Sequence, residues 1–115
     1  MSDEFIFHTE TKGDTLIIKT EGYINNVAGE KISKVFSDNS NSSIKNAVFD
    51  LEKSKVINSI GISYLLEVIE LLTDKSGKIV FLNLDPSIDK TFKIMGLFQF
   101  SQTAESLDSA LKDLE

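Results

Sequence analysis

The residues best suited to chemistry lie close together near the middle of the chain. After an apolar run comes a short stretch of small polar and apolar residues: Asn58, Ser59, Ile60, Gly61 and Ser63. This pattern predicts a buried strand, a short loop and a helix that opens on small polar side chains. A serine hydroxyl there can be a phosphorylation target, because the dianion would lie at the positive end of the helix dipole. An asparagine or serine that only caps the helix explains the same residues.

Two isolated side chains are the other candidates for chemistry. His8 is the single histidine and follows the alternating pattern of a strand, so a surface position is expected. Asp50 ends an apolar run, where a carboxylate more often accepts hydrogen bonds from the next loop than acts on a substrate. Because Ser59 has no evident base, we expect no catalytic residue and no enzyme.

Composition places the chain among ordinary globular proteins and argues against several kinds of site. The 115 residues are 41% hydrophobic and 26% charged, which suits a single domain over residues 1–115. With no cysteine and one histidine, disulfides, thiolate chemistry and a zinc site are not expected. None of the six glycines forms a phosphate-binding loop pattern, so we expect neither a metal nor a cofactor.

Net charge and the lack of long apolar segments narrow the choice of partners. A net charge of −6 disfavours nucleic acid and favours encounters with basic patches on proteins. The start of the sequence, Met1–Ser2–Asp3–Glu4, lacks the basic and apolar regions of a signal peptide. No apolar run approaches the ~20 residues of a membrane span. We therefore expect a cytoplasmic protein with no direct membrane insertion.

Hydrophobic periodicity predicts alternating strands and helices, which position the polar stretch. Strand patterns cover residues 5–9, 15–19, 47–51 and 78–82, with a turn at Lys12–Gly13–Asp14 and a polar loop at 37–43. The four expected helices are one capped by Asn25 or Asn26, one ending at Ser76–Gly77, one starting near Pro86 and one from Ser106 to Leu114. Such alternation predicts an open sheet whose site lies in loops at the carboxyl ends of the strands, including 52–61.

The spacing of apolar residues also predicts which side chains each helix buries. The first helix has Ala28, Ile32, Val35 and Phe36 on one face, and the second has Ile62, Leu65, Leu66, Ile69 and Leu72. The third is expected to bury Ile88, Phe92 and Met95 and to stop at Gly96 in a left-handed cap. Residues 97–100 are expected to form an edge strand or the lead-in to one.

Two surface features have more than one interpretation. Phe98 and Phe100, near the Gly96 turn, form an exposed recognition ridge or pack in the core. Glu67, Glu70 and Asp74 lie off the apolar stripe of their helix and form a solvated face or meet a basic patch on a partner. The sequence leaves both choices open.

In order and spacing, several short motifs resemble those of STAS domains. They are Asp50–Leu51, the tetrad Asn58–Ser59–Ile60–Gly61, Gly77 before a strand, and Ile94–Met95–Gly96–Leu97–Phe98. Gly22–Tyr23–Ile24–Asn25–Asn26 falls where the family has a Gly-x-Leu-Asp loop ahead of its first helix. The resemblance runs from about Asp14 to about Leu111. It implies an α/β fold with an open mixed sheet of about four or five strands flanked by about four helices.

The resemblance also implies a role in protein recognition, since the family includes anti-sigma factor antagonists. Such a protein would bind an anti-sigma factor or a serine-kinase-type protein and so regulate sigma-dependent transcription by partner switching. Self-association is a further possibility. The implied partner-binding residues are Asn25, Asn26, Asn58, Ser59, Ile60, Gly61 and Ser63. The alternative is an unphosphorylated scaffold or accessory subunit of a signalling or membrane-transport complex.

The tetrad departs from the family pattern where phosphorylation would occur. The usual tetrad is Asp-Ser-Ser-Gly, and its second serine carries the phosphate. Here Asn58 replaces the aspartate and Ile60, which has no hydroxyl, replaces that serine. Ser59, and less favourably Ser63, are the remaining candidate phosphosites, and one step along a helix turns a side chain by about 100°. We favour binding that the usual phosphorylation does not control, and a shifted site at Ser59 is the alternative.

Overall fold

The computed structural model describes residues 5–38 and 43–114. Within these ranges the elements are β1 (Ile6–Lys12), β2 (Thr15–Glu21), α1 (Asn26–Asp38), β3 (Asn46–Lys53), α2 (Ser59–Thr73), β4 (Ile79–Leu82), α3 (Pro86–Met95), β5 (Gln102–Ala104) and α4 (Leu107–Asp113). A short 3-10 helix, Leu97–Gln99, joins α3 to β5. The predicted α/β fold with a mixed sheet and four flanking helices is confirmed.

The five strands form one sheet in the order β1-β2-β3-β4-β5. β1 and β2 are an antiparallel hairpin, which turns at Gly13 with a φ of 60°. Each later strand lies parallel to its predecessor, and helical segments make the crossovers. β3 lies at the centre of the sheet, and its Val48 and Phe49 are fully buried, which explains the continuous apolar run in the sequence.

Helices cover the sheet unequally on its two faces. Residues of α1, α2 and α3 form one apolar core with alternate residues of β2, β3 and β4. Packed phenylalanine rings extend through this core. The ring centre of Phe81 lies 5.2 Å from that of Phe49 and 5.1 Å from that of Phe92. On the opposite face, α4 places Ala110 against a smaller cluster that includes Val48 and Val80.

The predicted helix faces are largely correct. In α1, Ala28, Ile32 and Phe36 are buried, and in α2 so are Ile62, Leu65, Ile69 and Leu72. Val35 and Leu66 are half-buried against the core, and α2 also buries Val68, which the predicted stripe omitted. None of the described helices is long and apolar enough to cross a membrane.

The third helix begins as predicted, with Pro86 in its first turn and Asp85 as its cap. The hydroxyl and the backbone N–H of Ser87 each donate a hydrogen bond to the Asp85 carboxylate. Both bonds lower the pKa of Asp85, the one from the hydroxyl more strongly. The helix ends at Gly96, whose φ of 81° is the predicted left-handed cap.

Three predictions near loops were wrong or incomplete. Met95 is 48% exposed, because the chain reverses at Gly96 and Leu97 takes the buried position instead. Residues 97–100 form the lead-in to β5 and not an edge strand themselves, since a hydrogen bond from the Gln99 N–H to the Gly96 carbonyl holds them in a 3-10 turn. The predicted loop 37–43 starts too early, because α1 continues to Asp38, and residues 39–42 lie outside the described ranges.

Candidate functional site

Two loops at the carboxyl ends of β2 and β3 are joined by backbone hydrogen bonds. The Ile24 N–H donates to the Val56 carbonyl at 2.9 Å, and the Asn58 N–H donates to the Ile24 carbonyl at 3.1 Å. Ile24 and Ile57 thereby form a parallel bridge outside the main sheet. Because each loop leads directly into a helix, the bridge holds the N-termini of α1 and α2 side by side.

Asparagine side chains satisfy the first turn of both helices. The Asn25 Oδ1 accepts a hydrogen bond from the Ala28 N–H at 3.0 Å, and the Asn58 Oδ1 accepts one from the Gly61 N–H at 2.7 Å. The capping interpretation is therefore correct for Asn58. Ser59 is the first residue of α2 and not its cap. An asparagine cap leaves both helix N-termini without a fixed negative charge.

Glycines allow α1 and α2 to approach each other and the loops closely. A Cβ atom at Gly61 would collide with the Ile24 carbonyl oxygen, which belongs to the bridge between the loops. A Cβ at Gly29 would lie 2.6 Å from the ring of Tyr64. Gly61 is itself buried. Its place in the tetrad is explained by this close approach.

The other predicted binding residues lie at or near the two helix starts. Asn26, Ser59, Ile60 and Ser63 are exposed, while the two capping residues Asn25 and Asn58 are half-buried. The Ser63 hydroxyl donates to the Ser59 carbonyl at 3.1 Å. The Ser59 hydroxyl makes no hydrogen bond to any described residue. Of the two candidate phosphosites, Ser59 is therefore the one whose hydroxyl is unengaged within the described chain.

Exposed apolar side chains accompany these polar residues, and the sequence predicts a binding role for only one of them, Ile60. We define the loop surface as Tyr23, Val27, Val56 and Ile60, whose side chains are 39%, 51%, 56% and 51% exposed. Val27 and Ile60 each occupy the second position of a helix, where burial against the sheet has not yet begun. An apolar residue two positions after a capping asparagine is the sequence signal that would have identified them.

The other chemically capable side chains lie away from the helix starts. His8 is exposed on β1 and lines a groove of about 310 Å³ with Lys19 and Asp50. The Asp50 carboxylate accepts hydrogen bonds from the Glu52 N–H at 3.1 Å and the Asn83 side-chain amide at 3.0 Å. It thus ties β3 to the loop after β4, as its position predicted. In residues 5–38 and 43–114, no cluster of three or more histidine, aspartate or glutamate residues could hold a metal ion.

The sequence of nearly the whole chain matches one protein family. The family model for the STAS domain matches residues 7–110. The match covers the hairpin, all three parallel crossovers and most of α4. This chain therefore belongs to the STAS domain family.

Solved structures with the same fold include regulators and part of a transporter. SpoIIAA, a Bacillus cell fate determinant, in its phosphorylated form has a TM-score of 0.78 at 21% identity, with 96% of this chain and 100% of that chain covered. An anti-sigma factor antagonist from Mycobacterium paratuberculosis has a TM-score of 0.82 at 19% identity, with 99% and 97% covered. The murine Slc26a9 anion transporter has a TM-score of 0.75 at 14% identity, with 91% of this chain but 18% of the transporter covered. At these identities, the similarity shows the fold alone.

Proposed function

We propose that this chain is an anti-sigma factor antagonist-like interaction module. It binds an anti-sigma factor or a related serine-kinase-type protein through the paired N-termini of α1 and α2, and so regulates sigma-dependent transcription. The observation that carries this proposal is the exposed Ile60 side chain at the start of α2, in the tetrad position where the family usually has a phosphorylated serine.

The chemistry of the loop surface supports protein recognition. Tyr23 and Val56 are exposed on the paired loops, and Val27 and Ile60 are exposed in the first turns of the helices that follow them. Large apolar side chains grouped on a surface favour association, because burying each one against a partner removes apolar area from water. The asparagine-capped helix ends add neutral polar groups around them, as at the rim of a protein interface.

We further propose that the usual phosphorylation does not control this binding. Ile60 has no hydroxyl to accept phosphate, and Asn58 brings no charge to the helix N-terminus. The competing possibility is a phosphosite shifted to Ser59, which the exposed hydroxyl at the start of α2 favours. A phosphate there would place about two negative charges beside an apolar contact surface, which opposes docking through that surface.

The experiment is quantitative affinity capture from the native cells with the wild-type chain and Ile60→Asp. Capture of an anti-sigma factor or serine kinase is followed by titration calorimetry with that purified partner. We expect Ile60→Asp to weaken binding by about 10-fold or more, since a charge replaces a central apolar contact. The fold should persist, because an acidic side chain in the first turn of α2 interacts favourably with the helix dipole.

Ile94→Asp is the matched control for this experiment. Ile94 is 72% exposed near the end of α3, away from the helix starts. It receives the same change of side chain and charge as Ile60. Equal affinities for the wild type and Ile60→Asp would show that the loop surface is not the interface. Capture of a transport or signalling complex with no anti-sigma factor or kinase would instead favour the scaffold role.

A further inference from the structure

A second apolar surface lies at the opposite end of α2 from the loop surface. It is a groove of about 490 Å³ whose exposed surface is mostly apolar. The residues that line it are Leu66, Ile69, Glu70, Thr73, Asp74 and Phe100. We call it the α2 groove. It runs along the C-terminal half of α2 and is closed on one side by the segment between α3 and β5.

Phe100 contributes to this groove and not to the core. Its side chain is 64% exposed. Phe98, two residues earlier, packs with its ring centre 6.5 Å from that of Phe81 and 6.0 Å from that of Phe92. A hydrogen bond of 2.6 Å from the Ser101 hydroxyl to the Leu97 carbonyl fixes the turn between these two rings. The backbone therefore holds one phenylalanine inward and presents the other beside α2.

Two carboxylates border the apolar lining of the groove. Glu70 and Asp74 lie four residues apart at the C-terminal end of α2, where like charges at this spacing repel and the helix dipole disfavours negative charge. None of the ion pairs among the described residues includes either of them. The nearby Lys75 directs its ammonium to the Ile44 carbonyl at 3.2 Å, and Lys78 lines the neighbouring groove on the Phe100 side.

We infer that the α2 groove binds a basic amphipathic helix of another protein. The apolar face of such a helix would cover Leu66, Ile69 and Phe100, and its lysines or arginines would meet Glu70 and Asp74. A cation there would relieve the unfavourable charge at the end of α2.

A second copy of this chain is a poorer occupant of the groove. One basic apolar surface of the chain is the end of α3, where Lys93 lies beside the exposed Ile94. Lys93 already forms an ion pair with Asp89 at 3.0 Å. Each copy also carries a net charge of −6, which opposes association between copies.

The test measures fluorescence anisotropy of a labelled synthetic helix of about 15 residues, made of leucine and lysine with leucines at helical spacing. A peptide with glutamate in place of lysine is the paired probe. We expect the full chain to bind the lysine peptide and not the glutamate peptide. Glu70→Lys and Phe100→Ala should each weaken binding by about 10-fold.

Control variants separate the groove from general effects of charge and apolar surface. Glu30→Lys reverses an exposed charge on α1 and changes the net charge as much as Glu70→Lys does. Ile94→Ala removes an exposed apolar side chain outside the groove, and both controls should leave the affinity unchanged. Thermal unfolding checks that each variant is folded, and Glu70→Lys alters only an exposed position.

Two results would overturn the inference. Equal weakening by Glu30→Lys and Glu70→Lys would mean that the peptide responds only to net charge. A dimer of the free chain that Phe100→Ala dissociates, seen by sedimentation, would identify a second copy as the occupant. Neither result would bear on the loop surface, whose own test uses Ile60→Asp.

Discussion

At the scale of single residues, position 60 carries an exposed apolar side chain at the start of α2. The isoleucine side chain is 51% exposed, whereas a serine at this position would present a hydroxyl. Asn58 makes the capping bond that an aspartate would make, without the charge. The start of α2 is thus capped by a neutral side chain, and its second residue carries no hydroxyl.

A prediction at this scale is that Ile60→Ser creates a phosphorylation site. Residue 60 is exposed at the second position of α2, so the new hydroxyl would be accessible to a kinase. With the captured kinase and radiolabelled ATP, we expect incorporation of phosphate into Ile60→Ser and little into the wild type.

The double variant Ile60→Ser with Ser59→Ala assigns the modified residue. Phosphate that persists in the double variant lies on residue 60. If the wild type is labelled and Ser59→Ala abolishes that labelling, the phosphosite is Ser59, one residue earlier than usual. That result would contradict the proposal that phosphorylation does not control binding. Absence of labelling in Ile60→Ser would argue against a regulatory link to that kinase.

At the scale of elements, the site depends on close packing between two loops and two helices. At Gly29 and Gly61 this packing leaves no room for a side chain. The Ile24 backbone bonds to both Val56 and Asn58, and α2 passes over the same backbone at Gly61. The start of α2 is thus held by the β2–α1 loop as well as by its own cap. A change at Gly61 should therefore disturb both elements.

We predict that Gly61→Ala lowers the free energy of unfolding by about 1–3 kcal/mol, although alanine favours helices. The added methyl would meet the Ile24 carbonyl oxygen, which is backbone and cannot move aside without breaking the bridge. Urea unfolding followed by circular dichroism measures the change. Ser63→Ala, at an exposed position of the same helix, is the control and should be nearly neutral. An unchanged midpoint for Gly61→Ala would mean that the loops adjust freely.

At the scale of the whole molecule, α2 separates two surfaces of different chemistry. The loop surface lies at the N-terminus of the helix and the α2 groove along its C-terminal half, so that Ile60 and Glu70 are about 15 Å apart along the axis given the rise of an α-helix. The first is apolar with neutral caps, and the second is apolar with carboxylates. We therefore expect the two surfaces to be accessible to different partners at the same time.

We predict that the two surfaces bind independently. Ile60→Asp should leave the affinity of the α2 groove for the lysine peptide unchanged, and Glu70→Lys should leave the affinity of the captured partner unchanged. The free-energy effects in the double variant should add within about 0.5 kcal/mol, since the sites share no contacts. Calorimetry with each ligand in the presence of the other measures any coupling. A larger deviation would show that α2 transmits a change between its ends.

Much of the fold was predictable because its causes are local. The central strand follows from an unbroken apolar run, and the buried faces of α1 and α2 follow from helical spacing. The left-handed end of α3 follows from Gly96, the residue best able to adopt a positive φ. For the candidate site, the sequence predicted the start of α2 and a cap at Asn58 or Ser59, of which the structure has Asn58, because a cap is an interaction within one turn of helix.

By itself, the sequence determined the order of the elements as far as α3, the apolar faces of α1 and α2, and the absence of a hydroxyl at residue 60, since each depends on a residue and its near neighbours. Only the tertiary structure decided that Leu97 is buried and Met95 is not, and that Phe98 points into the core while Phe100 faces the α2 groove. It alone brought Ile24 to Ile57 and so paired the two helix starts. These outcomes depend on contacts between segments far apart in the chain, which local propensity does not encode.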